Sequence, residues 1–233
     1  MSRFALVFGV GLCAALAPAA PVPKTVAEKE RFAALWGETA GAGEFVFQGR
    51  QVTIRNAPVV PDTSALDRPS SIPHTGRNVC GDFVATVLVV EASAPRVADD
   101  HLDFNTHAGL YVSGDGSGAT YHRIVGLTRA GGELKPSFGI GRALWLPNER
   151  SAGGGIGENG GAVRLRIERR AHVVTASYST EGAKWSEPFP LSDKLNLPNE
   201  VTVGVFAGTL APRTASATFA DLTIEPLKAE PKK

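Results

Sequence analysis

Residues 163–185, VRLRIERRAHVVTASYSTEGAKW, constrain the fold more than any other stretch of the chain. Val163, Leu165 and Ile167 alternate with Arg164, Arg166 and Glu168, the period of two that gives a strand one buried and one wetted face. A polar break over residues 169–172 separates this run from a second β-prone run, residues 173–178. That run leads into Ser179-Thr180-Glu181-Gly182, where glycine suits a turn position with positive φ, and the chain then reaches Trp185. Two adjacent antiparallel strands, a tight turn and an aromatic anchor predict the centre of an all-β domain. Arg164, Arg166, Arg169 and Arg170 read as its wetted face, with Glu168 as an ion-pair partner.

The N-terminus reads as an export signal. Arg3 gives a positive start, residues 4–17 are almost wholly apolar or small, and Ala17-Pro18-Ala19 fits a small-x-small cleavage site. The expectation is a periplasmic or extracellular protein starting at Ala20, with a retained N-terminal anchor as the alternative. The apolar run is shorter than the roughly 20 residues that a membrane span needs, so no transmembrane segment is expected in the mature chain. Cleavage would leave Cys80 without a partner for an intramolecular disulfide, so stability must come from an apolar core. With 24 basic and 23 acidic residues the chain carries no long-range attraction for nucleic acid or an anionic membrane. Its 26 glycines and 16 prolines suit short strands and turns better than helices.

Along the chain, Thr25 with Glu28 three residues later forms a capping-box pattern, and Phe32, Leu35 and Trp36 share a face. This predicts a short helix over Val26–Trp36. Residues 44–48 and 51–55 read as a hairpin around Gly49-Arg50. Residues 56–78, rich in Pro, Ser, Asp and Arg, read as a long surface connection. Residues 80–91 read as a central strand, with Cys80 a small buried residue at its start. Residues 107–113 and 121–127 read as paired strands around the turn at 115–118. A strand is expected over 137–146, and the glycines of 153–161 read as a mobile tip. Residues 201–208 form a strong strand pattern. In residues 216–225, Phe219 is out of phase with Leu222 and Ile224, which predicts a bulge near Ala220-Asp221.

Taken in order, GDFVATVLV, AGLYVSGD, LRIERRAHVVTASYSTEGAKW, VGVF and ATFADLTI resemble an uncharacterised bacterial family of concanavalin A-like domains. The resemblance covers residues 44–225 and implies a two-sheet antiparallel jelly-roll sandwich. It departs from the family pattern at the turns, where Arg170-Ala171-His172 replaces an Asp-Gly or Asn-Gly turn and Glu181 stands for Asp. Together with the residue patterns it gives a signal at 1–19, a linker with a short docked helix at 20–43, a sandwich at 44–226 and a solvated tail at 227–233. This architecture hosts lectins, glycosidases and structural modules, so function must be argued from a site.

No site announces itself. Sandwich glycosidases need two facing carboxylates, and no Glu-x-Asp-x-x-Glu string is present. Asp99, Asp100, His101 and Asp103 share a loop that calcium could use, as could the turn at Asp115. No other cofactor is expected. The histidines lack metal-ligand spacing, although His107 and His122 would approach if their strands pair. A sugar site needs an aromatic platform flanked by polar groups. The candidates are Trp145, Arg123, Tyr121, His122 and Asp103; Arg142 has the wrong strand parity to join Trp145. The leading expectation is therefore a non-catalytic exported module that binds a glycan or another exported protein. A glycan hydrolase with an atypical acid pair and a protein-docking or structural module are the alternatives.

Overall fold

The computed structural model describes residues 26–56, 72–93, 106–130, 133–146, 149–157, 160–180, 184–192, 195–209 and 215–227. They form a short helix and two seven-stranded sheets, all of whose strand pairings are antiparallel. From edge to edge, the first sheet consists of β1 (Glu38–Ala40), β4 (His74–Cys80), β13 (Glu200–Thr209), β6 (Thr106–Gly114), β7 (Ser117–Ala130), β8 (Glu133–Leu146) and β9 (Glu149–Gly157). The second consists of β12 (Phe189–Pro190), β11 (Val173–Thr180), β10 (Val163–Arg170), β5 (Phe83–Ala92), β14 (Ala215–Pro226), β3 (Gln51–Asn56) and β2 (Gly43–Gln48). Both sheets draw strands from both ends of the chain. The architecture is the expected two-sheet jelly-roll sandwich with an N-terminal helix.

The alternation in β10 becomes burial directly. Val163, Leu165 and Ile167 are fully buried and face Val89, Val87 and Ala85 of β5 on one side and Thr180, Tyr178 and Ala176 of β11 on the other. From the first sheet, Leu110, Val112, Tyr121, Val203 and Val205 complete the core between the layers. The helix α1 (Val26–Trp36) closes one side, with Trp36 buried in the same core and Phe32 stacked on Phe47 at 4.8 Å. Thr25, its expected cap, lies outside the described residues. The out-of-phase pattern of β14 is a real irregularity: its pairing with β5 shifts register on either side of Phe219-Ala220, and Asp221 takes φ 52.

Several expectations are corrected. Strand His74–Cys80 begins within the stretch read as a long connection, residues 56–78, and is paired with β13 on one side and β1 on the other. The expected strand at 80–91 is two elements, because Gly81 at φ 74 turns the chain between β4 and β5. Cys80, at the end of β4, is exposed rather than buried. The glycine-rich 149–157 stretch is strand β9, not a loop, since glycine keeps its backbone donors and acceptors and pairs with β8. Arg169 does not belong to the wetted face. It shares parity with Val163, Leu165 and Ile167, is 5% exposed, and donates to the carbonyl oxygens of Leu197 (3.1 Å), Asn199 (3.5 Å) and Ala171 (3.1 Å). Trp185 is half-buried with its ring under the Arg166 guanidinium, 5.8 Å away, and is not a core anchor.

Candidate functional site

The strands of the first sheet carry small and apolar residues toward the core and a different set on the face away from it. Register aligns His74, Phe206, Gly109, His122 and Gly141 in one row across β4, β13, β6, β7 and β8. The next row is Gly76, Gly204, Tyr111, Thr120 and Ala143, and the row on the other side holds Gly208, His107, Ile124 and Gly139. Large rings and glycines therefore share this face. At Gly76 and Gly141 an atom of an aromatic side chain occupies the space that a Cβ would need. A Cβ on Gly76 would stand 2.3 Å from the Tyr111 hydroxyl, and one on Gly141 would stand 2.9 Å from His122 Nε2.

The rings interlock. His74 meets Tyr111 edge-on at 5.4 Å, His122 meets Phe206 at 5.7 Å, and His107 and His122 lie 4.9 Å apart. Ile72 joins Tyr111 and Phe206 in a small buried cluster separate from the main core. His74 Nδ1 lies 2.8 Å from the Ile72 carbonyl oxygen, which only accepts, so the proton of that ring sits on Nδ1. His122 Nδ1 shares a 3.0 Å hydrogen bond with the Thr120 hydroxyl. The Tyr111 hydroxyl and His107 Nε2 are buried and have no hydrogen-bond partner among the described residues. Burial lowers His107 to about 4, and burial with the neighbouring His107 holds His122 well below the usual histidine range. Burial likewise raises the Tyr111 phenol. At neutral pH the imidazoles of His107 and His122 are therefore uncharged, on the same face as the hydroxyls of Tyr111 and Thr120.

The five residues expected to bind a ligand are divided by the sheet. His122 lies on the outer face. Tyr121 pairs with Leu110 on the inner side, where its ring meets Phe189 edge-on at 5.4 Å. Arg123 is also of inner parity, buried, with its guanidinium 4.9 Å above the Phe138 ring. Trp145 occupies the β8 position opposite Gly118, and its side chain lies outside the described part of the structure. Asp103, like Asp99, Asp100 and His101, lies outside the described residues. Arg142 follows the expected parity: it pairs with Tyr121, covers Phe189 at 5.5 Å and donates to the Pro190 carbonyl at 3.0 Å.

The approach of His107 and His122 is the part of this cluster that strand pairing predicted. The sequence reading missed His74, Tyr111, Thr120 and Phe206. Signals existed for two of them: the odd-numbered period His107, Gly109, Tyr111, and the even-numbered period Thr120, His122 on the paired strand. No group of three metal-ligating side chains occurs among the described residues. No helix among them is long and apolar enough to cross a membrane.

No protein-family model and no curated protein matches the chain. Solved structures do. A protein of unknown function from Saccharomyces cerevisiae superposes with a TM-score of 0.57 at 17% identity, over 80% of this chain and 97% of that one. A xylan β-1,4-xylosidase from Bacillus halodurans C-125 matches at a TM-score of 0.44 and 13% identity, over 81% of this chain and 39% of the enzyme. An alginate lyase from Klebsiella pneumoniae matches at a TM-score of 0.46 and 9% identity, over 78% of this chain and 84% of the lyase. At these identities the similarity to the yeast protein shows the fold alone.

Proposed function

We propose that this protein is an exported, non-catalytic glycan-binding sandwich that takes a neutral sugar on the outer face of its first sheet, between Tyr111, Thr120, His122 and Phe206. The observation that carries the reading is the buried Tyr111 hydroxyl, which has no hydrogen-bond partner among the described residues, with the Thr120 hydroxyl opposite it on β7. A buried polar group without a partner costs about 1–3 kcal/mol, a cost that a sugar hydroxyl, both donor and acceptor, removes. The flat rings of His74 and Phe206 beside them suit the apolar face of a pyranose. Trp145 joins this reading through its strand position, which shares parity with Ala143 and Gly141. Ile72, Tyr111 and Phe206 form one buried cluster, so a sugar reaches the hydroxyl only by displacing part of it.

Among the described side chains of this face, the hydrolase alternative finds no acid pair at catalytic spacing. Among residues with described side chains, Glu38 and Glu200 have the register of the outer face. Glu38 is in line with Gly204, four residues along β13 from Glu200 and two strands away. At about 3.4 Å per residue and roughly 4.8 Å per strand, their backbones are about 17 Å apart, whereas glycosidase carboxyls stand about 5–9.5 Å apart.

Titration with neutral oligosaccharides, followed by tryptophan fluorescence and histidine NMR resonances, tests the proposal. The expected result is a saturable change in the His122 resonances that Tyr111→Phe and Thr120→Ala each weaken. No saturable change up to about 10 mM sugar, or a change that both variants leave intact, overturns it.

A further inference from the structure

The four outer edges of the two sheets are not equally protected. An open edge strand offers unpaired backbone groups to another chain, and proteins blunt such edges with proline, charge or shortness. β12 is two residues long and contains Pro190; β1 is three residues long and starts with Glu38. β9 opens with Glu149 and Arg150 and is broken up by glycines. β2, GEFVFQ, is six residues long, has neither proline nor lysine, and leaves Phe45, Val46 and Phe47 half-exposed. Its one charge, Glu44, is occupied by Arg55 of β3 at 3.1 Å.

We infer that β2 is a self-association edge at which a second copy of this chain adds its own β2 in antiparallel register about Val46. The first reason is the direction of the backbone. Gln48 and Gln51 close the two-residue turn Gly49-Arg50, so alternation points the backbone groups of Gln48, Val46 and Glu44 toward β3. The open edge therefore carries the N–H and C=O groups of Phe45 and Phe47. The second reason is the sequence Glu44-Phe45-Val46-Phe47-Gln48, which is nearly symmetric about its centre. A two-fold axis at Val46 sets Phe45 opposite the partner's Phe47 and Phe47 opposite the partner's Phe45. These are the residues whose backbone groups face away from β3, on the side where no described strand pairs. It also sets Glu44 opposite the partner's Gln48, so no like charges meet.

The third reason is space. Beside Phe47 lies a cleft of about 500 Å³, lined by Lys29, Phe32 and Ala33 of α1, by Gly37, by Glu38 and Thr39 of β1, and by Phe47 itself. The partner's Phe45, directly across from Phe47 in this register, is placed to fill it. The result is one continuous sheet of fourteen strands, seven from each copy. The inference is independent of the glycan reading, because β2 is the far edge of the other sheet.

Sedimentation velocity of the purified protein across a concentration series, from about 1 to about 200 µM, tests it. The expected result is a concentration-dependent dimer. Val46→Lys, which brings two ammonium groups together on the axis at a half-exposed position, leaves a monomer with the wild-type melting curve. Gln48→Lys, which faces the partner's Glu44, tightens the dimer several-fold at low salt. A wild-type protein that stays monomeric throughout overturns the inference. So does an assembly that Val46→Lys leaves unchanged, or one that Gln48→Lys fails to tighten. Should Val46→Lys fail to fold, the Gln48→Lys measurement decides alone.

Discussion

Arg169 Nη2 donates to the carbonyl oxygen of Leu197 at 3.1 Å, tying the end of β10 in one sheet to the segment that enters β13 in the other. Its Nε reaches Ala171, which holds φ 51 in the turn after β10 and donates its own N–H to Asp82 at 2.7 Å. One guanidinium thus satisfies backbone acceptors from two parts of the chain at a corner where no strand pairing can do so.

Replacing Arg169 with Met keeps the apolar stem and strips this donor from the Leu197 and Ala171 carbonyls, while the Asn199 carbonyl keeps the Gly81 N–H at 2.9 Å. The expected cost is about 2–4 kcal/mol, the range for stripping hydrogen-bonded partners from buried groups. Urea unfolding measures it, and Arg169→Lys should recover only part because an ammonium cannot span the three acceptors. A loss below about 0.5 kcal/mol would show that the corner is held by packing alone.

His107 and His122 predict acid sensitivity. In the unfolded chain both imidazoles take up protons near pH 6.5, whereas folded His107 does so only at about 4 and His122 lower than its usual range. The unfolded state then binds more protons between those values. Stability is complete above pH 6.5 and falls as the pH drops toward 4, by roughly 3 kcal/mol from His107 alone. Unfolding free energies measured from about pH 7 to about pH 4.5 should show this slope, and His107→Phe should flatten it. An identical slope in wild type and variant would place the acid response elsewhere.

Trp185→Ala should cost only about 1–2 kcal/mol, because the indole is half-buried and its specific contact is with the Arg166 guanidinium. A fully buried tryptophan at this turn would cost about 3–5 kcal/mol. Arg166→Ala in the Trp185→Ala background should then add little, which a double-mutant cycle reads directly.

Gly204→Ala should be among the most damaging single substitutions in the chain. A Cβ there would stand 1.9 Å from the Thr75 carbonyl oxygen and 2.5 Å from the Gly76 backbone, in the middle of β13. Because the obstacle is paired backbone, it cannot swing aside, and a loss of about 3 kcal/mol or more is expected in thermal or urea unfolding. Gly204→Ala melting within a few degrees of wild type would mean that β4 and β13 can separate locally.

The sheet content, the β10–β11 hairpin, the β2–β3 hairpin, the Val26–Trp36 helix and the β14 bulge were all legible in the sequence. Each is written in local periodicity or turn chemistry over fewer than about 25 residues, which the chain obeys whatever surrounds it. Strands β4 and β9 were hidden because their residues are polar or glycine-rich. They became strands by pairing, β4 with β13 and β9 with β8, and the sequence does not print which distant backbone will supply the partner. Burial of Arg169 and exposure of Cys80 were likewise tertiary decisions. Arg169 sits on the inward parity of β10 but needed the carbonyls of Leu197 and Asn199 to be admitted. The candidate site shows the same division. Periodicity placed His107 on one strand and His122 on the next, while the register between four strands decided that His74, Tyr111 and Phe206 would join them and that Tyr121 and Arg123 would face the other way. Register is set by contacts between residues far apart in sequence, and a slip of one residue exchanges the two faces, so no local pattern contains it.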